Sequence, residues 1–212
     1  MRVKEIILAA LLLFVGTDAF GQIEKGDQNV GIYLIFSSKT QDVFINDNPT
    51  SQLPATLEMG AGVGYNYFVS SRFSIGATLA VTYTSTPIGK KANSNYMYTK
   101  TYGVAVAPEV RHYLPLTDRL YWMVSASAGF AYGNYKEDQN PGDPIETNYK
   151  GWQVVVQPIG LEFRASDKIS VGMTVGGFAR TSTSMTANGV TVKTIQSLWQ
   201  LNKAELSLNI WF

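Results

Sequence analysis

Apolar and polar residues alternate with a period of two through most of this chain. That spacing belongs to extended strands with one apolar and one polar face. In FSIGATLAVTY, Phe73, Ile75, Ala77, Leu79, Val81 and Tyr83 share one face, while Ser74, Gly76, Thr78, Ala80 and Thr82 share the other. LYWMVSASAGFAY sets Leu120, Trp122, Val124, Ala126, Ala128, Phe130 and Tyr132 against Ser125, Ser127 and Gly129. KISVGMTVGG repeats the pattern with Ile169, Val171, Met173 and Val175. The chain stops in the same rhythm, since AELSLNIWF alternates through Leu206, Leu208 and Ile210 to Phe212. Chain ends usually fray, so a strand ending on a large aromatic needs a reason.

The pattern predicts eight strands, over 28–38, 55–69, 72–86, 98–114, 119–135, 150–165, 168–187 and 190–212. Short connections (SSR, LPLT and SD) follow strands two, four and six. Long polar connections follow strands one, three and five, over 39–54, 87–97 and 136–149. The last hairpin, 185–195, turns at Asn188-Gly189, a two-residue turn signal. An even strand number with short turns at one end and long loops at the other predicts an all-β, eight-stranded antiparallel up-and-down transmembrane β-barrel. The two-residue turn pairs Ala187 with Val190, and continuing that register sets Val171 opposite Leu206 and Ile169 opposite Leu208. In strand six the apolar phase slips from Trp152, Val154 and Val156 to Ile159, Leu161 and Phe163, which places Pro158 at a bulge. The last hairpin is longer than the roughly 9–11 residues a spanning strand needs, so Lys193 and Trp199 are expected outside the membrane.

Which face looks outward is decided by polarity. A soluble lipocalin-like barrel also has eight alternating strands, but it needs charges on its exterior. Strand three has none between Phe73 and Tyr83, and strand five none between Leu120 and Tyr132. The apolar faces carry Tyr65, Tyr67, Phe73, Trp122, Phe163 and Phe212 near the short-turn end. Near the long-loop end they carry Tyr83, Tyr102, Phe130, Tyr132 and Trp152. Two aromatic rows around an aliphatic band read as a lipid-facing surface.

Composition fits this reading. Only 16% of the 212 residues are charged, 17 basic residues balance 16 acidic ones, and there is no cysteine. A nucleic-acid footprint and a disulfide framework are therefore not expected. The N-terminus begins MRVKE, continues with the apolar run Ile6–Val15, and reaches small Ala19 and Gly21. That order reads as a cleaved secretory signal peptide over 1–21, leaving a barrel domain over 22–212.

From these residues the chain resembles the eight-stranded outer-membrane β-barrel proteins of Gram-negative bacteria, the OmpA/OmpX-like superfamily. The resemblance implies a place in the cell outer membrane, contact with its lipid, and handling by the barrel assembly machinery. In that family the last strand ends on an aromatic that this machinery recognises, and Leu206, Leu208, Ile210 and Phe212 fit the signal.

On the face opposite the apolar one fall Glu58, Glu109, Arg111, Glu162, Arg164, Arg180, Lys203 and Glu205. Four acids with four bases suggest an ion-paired network in a lumen that side chains can fill. Gly60, Gly62 and Gly64 would give those long side chains room; the G-x-G-x-G run is not a phosphate loop, because no helix follows it. The single histidine, His112, is in phase with Val106 and Val110 and is expected to face lipid near the periplasmic interface. Lipid A-modifying barrels that resemble this fold place catalytic groups at the other end. The third loop offers Asp138, Asn140, Asp143 and Glu146 to a cation, but the spacing departs from a calcium loop and reads as a solvated acidic segment. No catalytic set, metal site or cofactor is expected. The function predicted is structural or surface-interacting, through the loops and the last hairpin, with a largely closed lumen. A narrow gated pore for ions or small solutes is the second reading, a lipid-active enzyme a weaker third, and a soluble carrier a fourth.

Overall fold

The computed structural model describes residues 23–45, 48–90, 96–139, 142–187 and 190–212. The expected signal peptide, the Asn188-Gly189 turn and Asn140 lie outside them. Eight strands run in chain order: β1 (Gln28–Ile45), β2 (Asn48–Ser70), β3 (Phe73–Lys90), β4 (Tyr96–Pro115), β5 (Leu120–Glu137), β6 (Ile145–Arg164), β7 (Ile169–Ala187) and β8 (Val190–Trp211). Each pairs antiparallel with the next, and β1 pairs with β8, so the sheet is a closed barrel. Closure removes the edges that an open sheet would expose. At the seam Gln28 and Phe212 exchange backbone hydrogen bonds of 3.1 and 3.0 Å. The terminal residue is thus tied into the barrel wall rather than frayed.

The strands are longer than alternation alone predicted. Much of 39–54, 87–97 and 136–149, expected as loops, continues the ladders as polar hairpins. Outside a bilayer a strand loses the apolar phase that made it legible but keeps its backbone bonds. The β1–β8 pairing stops at Ser37 opposite Lys203, and above that level β8 pairs only with β7 among the described residues.

Two bulges set the phase of the side chains. On β6 the slip at Pro158 is present: Met123 pairs with Gly160 but Ser125 with Gln157. The carbonyl of Pro158 accepts a hydrogen bond from the Trp122 indole at 2.9 Å. The second bulge, on β7, was not foreseen. Gly176 and Gly177 both have positive φ, 68° and 149°, and the β7–β8 register shifts between Val175 and Gly177. Above it, Ala187 pairs with Val190 as the turn predicts. Below it, Val171 faces Leu208 and Ile169 faces Ile210, two residues away from the expected Leu206 and Leu208. A shift of two preserves the facing of side chains, so the apolar surface stays continuous.

That surface points outward. Ile32, Val63, Leu79, Val81, Val106 and Leu208 are about half exposed on the outer wall, and the outward positions between the two aromatic rows are apolar apart from Arg180, level with Val154, and His112 at the lower row. A continuous apolar belt of this kind is the surface of a membrane-spanning barrel, not of a water-soluble one. No helix among the described residues is long and apolar enough to cross a membrane.

Candidate functional site

The lumen is built from the opposite parity of each strand, and it has two tiers. The tier toward the short turns starts with an apolar and aromatic floor of Ile23, Phe68, Tyr113, Tyr121, Met123 and Trp211, all 4% exposed or less. Phe68 lies 5.2 Å from the Tyr113 ring and 5.1 Å from Trp211, centroid to centroid. The Arg164 guanidinium stacks 4.4 Å from the Trp211 centroid and donates to the Asp167 carbonyl at 2.9 Å. Glu162 is fully buried beside them and accepts from the Tyr113 hydroxyl (3.2 Å) and the Ser170 hydroxyl (2.5 Å). Those neutral donors satisfy a charge that would be costly to bury alone.

Above this floor Arg111, 2% exposed, grips Glu109 through two nitrogens, at 2.5 and 3.1 Å. It also donates to the Tyr33 hydroxyl at 2.9 Å, and Thr78 donates to Glu109 at 3.0 Å. A fork-shaped cation on a planar carboxylate is the strongest arrangement such a pair can take. Gly64 makes it possible. A Cβ there would come 2.7 Å from the Tyr33 ring, so only glycine leaves space for the tyrosine to reach across.

The tier toward the long hairpins is open. A cavity of about 310 Å³ is lined by small and polar side chains, among them Thr78, Ala80, Ala105, Ser127, Gln157 and Ala179. Glu58 accepts from Lys203 across it at 2.9 Å, and Glu205 also faces it. Gln157 bridges Ser125 and Thr174 beneath, at 2.9 and 3.0 Å.

The expected ionic set therefore divides. Glu109 with Arg111 and Glu58 with Lys203 form two ion pairs at different heights. Glu162 and Arg164 sit together in the floor, and Glu205 faces the cavity. Arg180 is a correction: the Gly176-Gly177 bulge reverses the parity of β7, so Ala179 and Thr181 line the lumen and Arg180 is exposed on the outer wall. The predicted interior set becomes four acids against three bases. Sequence reasoning passed over Tyr33, Phe68, Tyr113 and Trp211, the residues that close the floor. Their parity was the available signal, since Trp211 falls between outward Ile210 and Phe212 and Tyr33 between outward Ile32 and Leu34.

The aromatic rows face outward, with Tyr65, Trp122 and Phe212 below and Tyr102, Phe130 and Trp152 above all exposed, and Phe73, Tyr83 and Phe163 partly covered. Tyr83 and Tyr102 stack at 4.9 Å. His112 is exposed on the same outer wall, opposite Phe73. In the third loop Asp138 accepts from the Tyr98 backbone (3.1 Å) and Glu146 from Lys136 (2.5 Å), so those carboxylates are engaged locally. Among the described residues no cluster of three potential metal ligands occurs.

No family model matches the chain, and no curated protein matches it. Among solved structures it is similar to Ail, the attachment invasion locus protein of Yersinia pestis, crystallised with the heparin analogue sucrose octasulfate. That match has a TM-score of 0.47 and 12% identity, covering 89% of this chain and 99% of that one. It is also similar to the outer membrane protein OprG from Pseudomonas aeruginosa, at TM-score 0.46 and 10% identity, over 89% and 97% of the two chains. Neisserial surface protein A matches at TM-score 0.41 and 12% identity, over 88% and 98%. At such identities and TM-scores no role of these proteins carries over to this chain.

Proposed function

We propose that this chain is an exported outer-membrane barrel, with a leader over 1–21 and a barrel domain over 22–212, whose lumen is closed and whose role is structural or surface-interacting. The observation that carries this is the packed periplasmic tier. Phe68, Tyr113, Trp211 and Arg111 are no more than 4% exposed apiece, the burial expected of a lumen packed too tightly for a continuous water path. Eight strands enclose only enough room for side chains, so a plug of this size is sufficient to seal them. Work would then fall to the extracellular hairpins. The stretch of β8 above Lys203, which has no β1 partner among the described residues, offers free backbone groups and the exposed side chains of Val192, Ile195 and Trp199 to an extended partner segment. No catalytic step is assigned to His112. The outward side chains of Leu206, Leu208, Ile210 and Phe212 support recognition by the assembly machinery, and Phe212→Ala should slow insertion catalysed by it while leaving the folded barrel's lumen unchanged.

The test is conductance of the refolded protein in a planar bilayer, beside a Glu109→Ala/Arg111→Ala variant. Silence from both, with insertion established by heat-modifiable gel mobility, is the expected result. A second reading, a narrow gated pore, is favoured by the open cavity above a plug whose middle layer is held by one ion pair. Discrete steps from the wild type that widen in the variant would replace the closed-lumen reading with it.

A further inference from the structure

We propose that the outer wall of β6–β8 holds a specific site for a phosphorylated, multiply acylated glycolipid of the outer leaflet. The proposal rests on the membrane reading above. The bulge at Gly176-Gly177 turns Arg180 out of the lumen, onto the flank that also carries Lys150 and Lys193, all three exposed. Lys150 pairs laterally with Ser184, and Ser184 with Lys193. The two lysines thus stand on one row, two strand spacings or about 10 Å apart. Arg180 lies four residues below Ser184 on β7, about 13 Å along the strand. The outward positions of β6–β8 bring one acid near them, Glu146, and Lys136 already engages it at 2.5 Å.

The lysines border a groove of about 680 Å³ that Val104 enters on their own row and that Val106, Phe130 and Trp152 floor one outward row below. Phe130 is 77% exposed, the largest value among the outward apolar side chains. The groove continues the lipid-facing band, and its floor lies at the upper aromatic row. Two lysines at the upper margin of an apolar surface match one chemistry, acyl chains below and phosphate above; Arg180, level with Val154, faces the same glycolipid lower on the wall. A soluble anion would gain nothing from the floor, and a neutral lipid nothing from the lysines.

The experiment refolds the protein into phosphatidylcholine nanodiscs containing lipid A or phosphate-free lipid A, and counts co-purified glycolipid by native mass spectrometry. The wild type is expected to retain the phosphorylated form preferentially. Lys150→Gln/Arg180→Gln/Lys193→Gln should lose retention by roughly fivefold per cation removed, as expected for basic groups at an anionic surface. Lys100→Gln/Lys136→Gln, on β4 and β5, should not lose it. Equal retention by the triple variant, or equal retention of the phosphate-free lipid, overturns the site. Heat-modifiable mobility separates the two levels of failure: a wild type that never inserts overturns the membrane reading, whereas an inserted barrel without lipid preference overturns only this site.

Discussion

Below Glu109 the lumen holds Tyr33, Phe68, Arg111, Tyr113 and Trp211; above it the same eight strands present Thr78, Ala80, Ala105, Ser127 and Ala179. The wall barely changes between the two tiers, because strand number and tilt fix its diameter. What changes is the volume of the inward side chain at each alternate position. The packing of each tier is therefore set by its inward side chains, not by the fold. The ion pairs differ in the same way: Arg111 and Glu109 have side chains 2% and 9% exposed, whereas Lys203 and Glu58 stand at 29% and 22%.

The largest expected effect breaks the lower tier. Glu109→Ala leaves the Arg111 guanidinium buried without its carboxylate, which should cost about 3–5 kcal/mol in urea unfolding from lipid vesicles. Phe68→Ala opens a cavity between Tyr113 and Trp211 and belongs to the same range, about 3–5 kcal/mol. A loss under about 1 kcal/mol in both would mean that water reaches this tier, and the contrast between the halves would collapse.

The junction of the tiers comes next. Gly177 has φ of 149°, and a Cβ there would meet the Val156 carbonyl oxygen at 2.6 Å. Gly177→Ala should cost about 1–3 kcal/mol in the same unfolding assay, because both the dihedral and the close approach resist a side chain. An unchanged midpoint would mean that the bulge is not what sets the register above it.

Alternation revealed the number of strands, their outward faces and both aromatic rows, because the bilayer imposes one rule on every outward position. The Pro158 slip was legible for the same reason: it interrupts the apolar phase inside the band. The Gly176-Gly177 slip was not. It falls where the outward residues turn polar, so Arg180 after Phe178 reads equally well in either parity. The plug was hidden differently. Tyr33 and Trp211 sit between apolar neighbours, and a hydrophobic count merges them with the outer wall even though their parity sends them inward. Strand extensions beyond the bilayer left no apolar phase to follow, and 39–54 read as a loop.

The upper ion pair sharpens the contrast from the other side. Glu58→Gln removes the partner of Lys203 in a cavity that water enters, so the cost should be about 0–1 kcal/mol. Comparing it with Glu109→Ala under one protocol measures how far burial, rather than pairing itself, carries the stability. Equal costs would mean that the cavity is as dry as the floor.

The smallest effect lies outside the barrel, at Lys136 and Glu146, whose side chains are 42% and 67% exposed. The hydrogen bond to Glu146, then its charge, raises Lys136 above the ordinary lysine value. A cation whose folded-state value is raised binds its proton more tightly folded than unfolded. The pair's contribution is thus fully present below the ordinary lysine value and is lost as pH rises through the raised one. The thermal midpoint should fall slightly over that alkaline window, and Glu146→Gln should flatten that part of the profile. Salt should erase the same difference, since both groups stand in water. The buried Glu109–Arg111 pair should ignore salt. If salt instead shifts the wild type and Glu146→Gln alike, the sensitivity comes from elsewhere on the cationic flank, and Lys150, Arg180 and Lys193 are the next residues to neutralise.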